Sequence, residues 1–418
     1  MRKMFATVAA AALSLSMSVT AKAQTVEIEY WQYFFKERVT AIDALIKTFE
    51  AANPGIKVKH THFPYAQYQT KVAAAVPAGE GPDVVQLYYG WLEEYRKANL
   101  LAPLPKDQFD PAQVEKEFFP IVKAMKAEGS YWGLPTAVRS MALFYNKALM
   151  KEAGLDPSKS PSTLDELIAQ AGKIVKRDAA GNTLTAGYTM GPVGQDHHWW
   201  REILVRQFGG QAYSDDGRKV MYDQKGGAAG LQFYADIATK HKLTSYGFMD
   251  ETQAAFKAGR AGFHIDGSFR IGTFQGVPNL DWAVAELPSH NGVRSNFASY
   301  WVNGVSSKST GPKRDAAMKF MKHLTSDAAM QLWLKTTGEL PAKPSVGLSA
   351  ENKNDPVYGP FILGLAYSHT TEFVNEAKQR QIFLDMMDRV SLQKMPVEEA
   401  IKIAAKEEQQ LLDEHFKK

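Results

Sequence analysis

The sequence predicts an α/β protein built on mostly parallel sheets, and the evidence begins near the start of the chain. Residues 26–30 alternate in polarity like a short strand, and apolar residues from Val39 to Phe49 recur at helical spacing. The run 53–55, Asn-Pro-Gly, ends that helix because proline lacks an amide proton and glycine tolerates a left-handed cap. Residues 56–58 then begin a second strand.

The next two elements repeat this order. A helix is predicted from about Tyr68 to Val76, and Gly81-Pro82 leads into a buried strand at residues 83–87. Strand, helix, strand, helix, strand implies parallel pairing with right-handed crossovers.

Later segments continue the α/β pattern. Residues 131–135 and 141–145 form an extended double run with a polar break at Arg139-Ser140, which we interpret as a strand crossing between two lobes. Thr163 and Glu166 form a capping box that opens a helix through Val175. Further strands are predicted at 261–266 and 281–287, and further helices at 227–241, 252–257, 312–325, 327–336, 374–390 and 397–416.

The first residues predict export. Arg2 and Lys3 precede a short apolar run, and residues 21–23, Ala-Lys-Ala, resemble a cleavage site, so residues 1–23 are expected to be a removed signal peptide. The mature protein is then expected in the periplasm. Removing three of the 49 basic residues leaves 46 against 45 acidic ones, so the calculated pI of 8.8 does not indicate nucleic-acid binding.

Composition narrows the function classes. The chain has no cysteine, which removes disulfides and thiolate metal sites, and its length of 418 residues favours two large lobes. The sequence carries no nucleophile elbow, phosphate loop, zinc or dinucleotide motif, so we predict no cofactor, no metal and no enzyme activity. A periplasmic carbohydrate-active hydrolase is the alternative, because a pair of acids such as Glu93 and Glu94 is always available.

Ordered segments along the whole mature chain resemble the extracellular solute-binding proteins of carbohydrate ABC transporters, the maltose-binding-like group. The segments are 49–58, 81–85, 133–135, 145–147, 153–155, 161–167, 262–267 and 338–341.

The resemblance implies a type II periplasmic binding protein fold, with a sugar held in the cleft between two lobes. It implies an N-terminal lobe of residues 24–138 plus 276–340 and a C-terminal lobe of residues 139–275 plus 341–418. It further implies a sugar or sugar-derivative ligand and an ABC permease as partner. We expect a monomer that does not bind nucleic acid.

Aromatic residues follow three consecutive strands, where ligands lie in open parallel sheets. Sugars present C–H faces to aromatic rings and hydroxyls to planar polar groups. Core packing is the alternative role for each of these side chains. The strand-end candidates for ligand contact are Trp31, Tyr65, Tyr88 and Trp91, with Tyr33 and Tyr89 as weaker ones.

Other candidates lie later in the chain. His198 and Trp199 follow a polar loop at residues 191–196, and the resemblance implies that this segment supplies aromatic stacking. Neighbours on a helix cannot face one direction, so one of Trp199 and Trp200 is expected in the core, and Trp199 is preferred for the ligand. Asp266 ends the strand predicted at 261–266 and Phe269 follows it, where the alternative is an ordinary turn and helix cap. The remaining candidates are Tyr300 and Trp301, one of which is expected in the core.

Arg139 departs from the resembled family, whose maltodextrin-binding members place a glutamate at the lobe crossover. Its planar fork of donors suits vicinal hydroxyls, and suits a carboxylate, sulfonate or phosphate even better. The sequence favours a neutral saccharide and leaves an acidic one open. An interlobe salt bridge is the third possibility.

Overall fold

The computed structural model describes residues 25–190, 195–249, 252–371 and 373–417. The predicted signal peptide, residues 1–23, and most of the predicted polar loop, residues 191–194, lie outside these ranges. Among the helices within them, none combines the length and the apolar character that crossing a membrane requires.

One large sheet forms the centre of the fold, with strands in the order β2-β1-β3-β12-β7-β10-β9-β8. Strands β11 and β13 also pair with β7, strands β4 and β14 also pair with β12, and β5 and β6 form a separate two-stranded sheet. The strands are β1 Val26–Tyr33, β2 Ile56–Phe63, β3 Val84–Tyr88, β4 Leu101–Ala102, β5 Lys126–Ala127, β6 Ser130–Tyr131, β7 Leu134–Asn146, β8 Lys176–Arg177, β9 Thr183–Tyr188, β10 Ala261–Gly267, β11 Trp282–Ala285, β12 Asn296–Ser306, β13 Leu340–Pro341 and β14 Ser368–His369.

Helices cover the sheet and bury its apolar side chains. They are α1 Lys36–Ala52, α2 Tyr65–Ala75, α3 Leu92–Lys97, α4 Pro111–Glu117, α5 Lys147–Glu152, α6 Leu164–Ile174, α7 Gln195–Gln207, α8 Lys225–Thr239, α9 Thr252–Lys257, α10 Ile271–Gln275, α11 Gly311–Leu324, α12 Asp327–Thr337, α13 Pro344–Gly347, α14 Ala350–Lys353, α15 Gly359–Gly364, α16 Glu376–Ser391 and α17 Val397–Phe416.

The sheet half β2-β1-β3 has the predicted parallel pairing, and we call it, with its helices, the N-terminal half. Strand β1 pairs in parallel with β2, Val26 opposite Ile56, and with β3, Tyr30 opposite Val84. Helix α1 buries the predicted apolar stripe from Ile42 to Phe49. It ends where expected, at Asn53. Because the parallel strands run in one direction, their carboxyl ends meet at one edge.

The long strands β7 and β12 join this half to β10-β9-β8, which we call, with its helices, the C-terminal half. Strand β7 pairs with β12 up to Ser140 and with β10 from Met141 onward. This change of partner coincides with the predicted crossing at Arg139. The C-terminal half is mixed rather than mostly parallel, since β10 is antiparallel to β7 and parallel to β9.

The return crossing differs from the predicted position near residue 276. Strand β11 pairs with residues 143–146 of β7, so the chain is still in the C-terminal half at residue 285. Strand β12 brings the chain back to the N-terminal half. Its residue Phe297 pairs with β14, and Trp301, further along, pairs with Tyr88 of β3. The prediction of an alternating strand at 281–287 did not indicate this, because the pairing partner of a strand is set by tertiary structure.

Candidate functional site

A cluster of three charges lies where β7 passes between the two halves. Glu339, just before β13, accepts hydrogen bonds from Nε and Nη2 of Arg139 at 3.1 and 2.6 Å. Arg38 on α1 forms a second ion pair with the same carboxylate oxygen. The β13 register, with Leu340 opposite Val138, brings Glu339 opposite Arg139.

The three side chains are largely buried, so each charge strongly shifts the pKa values of the others. Burial alone would raise the pKa of Glu339, but the two guanidinium groups outweigh it and lower the pKa from 4.5 to about 2. Burial, aided by the charge of Arg38, lowers the pKa of Arg139, although Glu339 opposes this. Arg139 keeps 19% of its side chain exposed, against 3% for Arg38.

Aromatic rings surround these charges. The guanidinium of Arg139 lies 5.0 Å from the ring centroid of Phe269 and 5.1 Å from that of Trp301, and the guanidinium of Arg38 lies 3.9 Å from the Trp301 ring. Further rings continue from Trp301 through Tyr33 and Tyr88 to Trp91 and Tyr65, with centroids 4.8 to 6.2 Å apart. We call the set Phe269, Trp301, Tyr33, Tyr88, Trp91 and Tyr65 the aromatic belt.

Part of this surface is open to solvent. Tyr65 is 50% exposed at the start of α2, directly after β2. Phe34 and Phe35, which follow β1, are 50% and 46% exposed and were not predicted as site residues. The signal for them was present, because they stand at the same kind of strand end as Tyr65. The predicted strand ended at Tyr30, three residues too early, and therefore pointed to Trp31 instead.

Trp31 lies inside β1 rather than after it. Its indole N–H donates to Glu29 at 2.9 Å, and its ring packs against Phe63 with centroids 4.8 Å apart. Within the described residues, no hydrogen bond or ring contact joins Trp31 to Arg139 or Trp301. The structure therefore does not bring Trp31 into the aromatic belt.

Trp199 connects the two halves. Its Nε1 donates to the hydroxyl of Tyr89 at 3.3 Å, and its ring stacks on Phe297 with a centroid distance of 5.3 Å. Phe269 lies 6.3 Å away. Because Trp199 belongs to α7 and Tyr89 follows β3, this hydrogen bond joins the C-terminal half to the N-terminal half.

His198 and Tyr300 lie away from Arg139. His198 is fully buried beside the rings of Phe373 and Phe383, and burial holds its pKa well below 6.5. Tyr300 precedes Trp301 on β12, so the two side chains point to opposite faces of the sheet. The ring of Tyr300 packs beside Tyr89, at 5.4 Å.

Asp266 holds the turn before Phe269 in place through hydrogen bonds to neighbouring residues. It is fully buried and accepts hydrogen bonds from the Gly267 amide at 2.6 Å and from Nε of Arg270 at 2.8 Å, with His264 Nε2 at 3.1 Å. These bonds fix the turn that presents Phe269. A side chain at Gly267 would collide with this ring, because a Cβ there would lie 2.1 Å from it.

A second space between the halves contains none of the predicted site residues. It has a volume of about 620 Å³ and is lined by Arg96 and Lys123 from one half and by Arg206 and His369 from the other. In the part of the chain that the structure describes, no group of three or more histidine or acidic side chains could hold a metal ion.

The chain resembles proteins of known role. The sequence model for bacterial extracellular solute-binding proteins matches residues 44–359. The maltotriose-binding protein of Pyrococcus abyssi is 25% identical over 352 residues, which cover 82% of this chain and 72% of that protein. The sn-glycerol-3-phosphate-binding periplasmic protein of Yersinia pestis is 24% identical over 356 residues, which cover 79% of this chain and 77% of that protein.

The fold has solved counterparts. The crystal structure of the cyclic alpha-maltosyl-1,6-maltose binding protein from Arthrobacter globiformis superimposes with a TM-score of 0.82 at 21% identity, covering 93% of this chain and 99% of that one. This similarity confirms the predicted fold class, and the family match confirms a binding protein rather than the alternative hydrolase. The chain belongs to the family of bacterial extracellular solute-binding proteins.

Proposed function

We propose that this protein captures a sugar or sugar derivative in the cleft beside Arg139 and delivers it to the membrane permease of an ABC importer. The proposal places the mature protein in the periplasm, as a monomer, after removal of residues 1–23. Two relatives are named as binding maltotriose and sn-glycerol 3-phosphate, which supports a small polyhydroxylated ligand for this protein.

The observation that carries the proposal is the aromatic belt around a charged donor at the strand ends. Sugar rings stack their C–H faces on aromatic side chains, while their hydroxyls need planar hydrogen-bonding groups. Arg139 supplies donors, and Phe269 and Trp301 lie on either side of it. We assign ligand contact to Arg139 and to Phe269, Trp301, Tyr88, Trp91 and Tyr65 of the belt.

The remaining predicted residues take supporting roles in this proposal. Trp199 holds the two halves together through Tyr89, and Asp266 orients Phe269. A ligand that contacts both halves favours the closed arrangement by its difference in affinity between the open and closed states. The permease would recognise the closed form.

A thermal-shift panel of neutral mono- and disaccharides, polyols, uronates, sulfosugars and sugar phosphates tests the proposal. A ligand at a hundredfold excess over its dissociation constant stabilises the native state by about 2.7 kcal/mol. Tyr65→Ala should weaken the best ligand by roughly two- to tenfold, as expected from losing one aromatic contact. Leu392→Ala is the matched control, because Leu392 is 64% exposed at the end of α16.

The outcomes separate clearly. Binding of a sugar without product formation, weakened by Tyr65→Ala and unchanged by Leu392→Ala, supports the proposal. A panel in which no compound raises the midpoint would overturn a carbohydrate ligand.

A further inference from the structure

We infer that the ligand carries an anionic group, a carboxylate, sulfonate or phosphate, and that Arg139 holds it. This inference rests on the proposed function and narrows its ligand class. The sequence favoured a neutral saccharide, and the charge balance of the folded site argues for the other alternative.

The charges at the base of the cleft do not balance. Arg38 and Arg139 share one carboxylate, that of Glu339, and both bind the same oxygen, Oε1. Within the described residues, no other carboxylate forms an ion pair with either arginine. The cluster therefore keeps one excess positive charge, next to the partly exposed end of Arg139.

Glu339 has little capacity left to accept a ligand hydroxyl. Besides the two arginines, Oε1 accepts from Trp301 Nε1 at 3.2 Å, and Oε2 accepts from Trp333 Nε1 at 2.9 Å. Arg139 uses Nε and Nη2 on Glu339, while its Nη1 forms no hydrogen bond to any described residue. The ligand thus meets a surface that donates hydrogen bonds, and an anionic group, which only accepts them, is its complement.

Closing the cleft over the ligand sharpens this preference. A ligand stacked on Phe269 or Trp301 displaces water from the guanidinium that lies between them. A neutral sugar would leave the excess charge dehydrated and uncompensated, which is costly in a low-dielectric site. An anionic group compensates the same charge and becomes a charge-assisted hydrogen-bond partner.

A second arginine near Phe269, Arg270, does not carry the excess positive charge. Arg270 lies 5.2 Å from the Phe269 ring, but its Nε donates to the buried Asp266 carboxylate. The uncompensated charge is therefore localised at the Arg38–Arg139–Glu339 cluster. This makes Arg139 the residue to test.

Calorimetric titration of the mature protein with matched neutral and charged compounds tests the inference. The pairs are glucose and glucuronate, glucose and glucose 6-phosphate, glucose and 6-deoxy-6-sulfoglucose, and glycerol and sn-glycerol 3-phosphate. Inorganic phosphate and sulfate are titrated alone, which separates recognition of the anion from recognition of the whole molecule. Each titration is repeated at low and high salt.

Three variants complete the design. Arg139→Gln removes the charge, Arg139→Lys keeps it without the planar fork, and Arg260→Gln removes an arginine charge at the opposite end of β10 from Phe269. Arg38 still pairs with Glu339 in the Arg139 variants, and their thermal midpoints check that they fold.

We expect at least one charged compound to bind tenfold or more tightly than its neutral partner, with affinity falling as salt rises. Arg139→Gln should abolish the preference, Arg139→Lys should reduce it, and Arg260→Gln should leave it unchanged. Equal or tighter binding of the neutral partners, or a preference that survives Arg139→Gln, would overturn the inference and leave the proposed function standing. Absence of binding by every member, neutral or charged, would overturn both.

Discussion

Arg139 and Glu339 face each other across the pairing of β7 with β13 and share two hydrogen bonds, although 200 residues separate them in sequence. This contact fixes the guanidinium of Arg139 between the rings of Phe269 and Trp301. It also ties the strand that crosses between the halves to the residue that precedes β13.

Glu339→Gln should destabilise the fold. The change removes the carboxylate that pairs with Arg38, which is 3% exposed, and breaking a buried pair typically costs about 3–5 kcal/mol. Urea denaturation measures the loss. Glu398→Gln is the control, because its pair with Lys402 is exposed to solvent and should contribute little to stability. Equal stability of the two variants would contradict a structural role for the cluster.

The same carboxylate predicts a loss of stability in acid. Because the pKa of Glu339 falls from 4.5 to about 2 on folding, its contribution is complete above pH 4.5 and is lost as pH falls towards 2. The difference amounts to about 3 kcal/mol by linkage. The gap in unfolding free energy between wild type and Glu339→Gln should therefore narrow between pH 4.5 and 2, and a constant gap would be the contrary result.

Gly267→Ala should weaken ligand binding by displacing the ring of Phe269. Its Cβ would lie 2.1 Å from the ring of Phe269, so the ring must rotate away from Arg139. We expect a loss of tenfold or more in affinity by calorimetry. Gly272→Ala is the control five residues later, where an added Cβ meets nothing within 4 Å. Unchanged affinity in Gly267→Ala would remove Phe269 from the binding surface.

The hydrogen bond from Trp199 to Tyr89 should stabilise the closed arrangement. Trp199→Phe and Tyr89→Phe each remove one partner, and a neutral hydrogen bond contributes about 1 kcal/mol, or roughly fivefold in affinity. A double-mutant cycle on the ligand dissociation constant should show that the double variant loses no more than either single one. Additive losses would mean that the two side chains act separately.

A buried network in the C-terminal half should affect stability alone. Glu408 accepts a hydrogen bond from Tyr222 at 2.7 Å, also accepts from Tyr213, and lies 3.9 Å from Nη1 of Arg201. Tyr222→Phe should cost about 1–3 kcal/mol because it leaves a buried carboxylate oxygen without this donor. Ligand affinity, measured by calorimetry on the folded variant, should stay within twofold of wild type.

Local patterns predicted the framework well. The apolar period of α1 and its end at Asn53 follow from short-range rules, and so does the parallel order of β1, β2 and β3. The polar break at Arg139 inside a long apolar run indicated the crossing strand. These features depend on residues close together in sequence, so the sequence contains their signal.

Which residues form the site depends on contacts between distant parts of the chain, and sequence spacing does not encode these contacts. Glu339 gave no signal as the partner of Arg139, because only the β13 register brings them together. Because β1 ends at Tyr33, the exposed residues after the strand are Phe34 and Phe35, and Trp31 lies within the strand. Pairing of β11 with β7 decided where the chain returns to the N-terminal half.

The most direct test is an X-ray structure of the protein crystallised with the compound that gives the largest thermal shift. We expect ligand density within hydrogen-bond distance of the Arg139 guanidinium and in contact with the rings of Phe269 or Trp301. Density in the space lined by Arg206 and His369, with the surroundings of Arg139 unchanged, would contradict it.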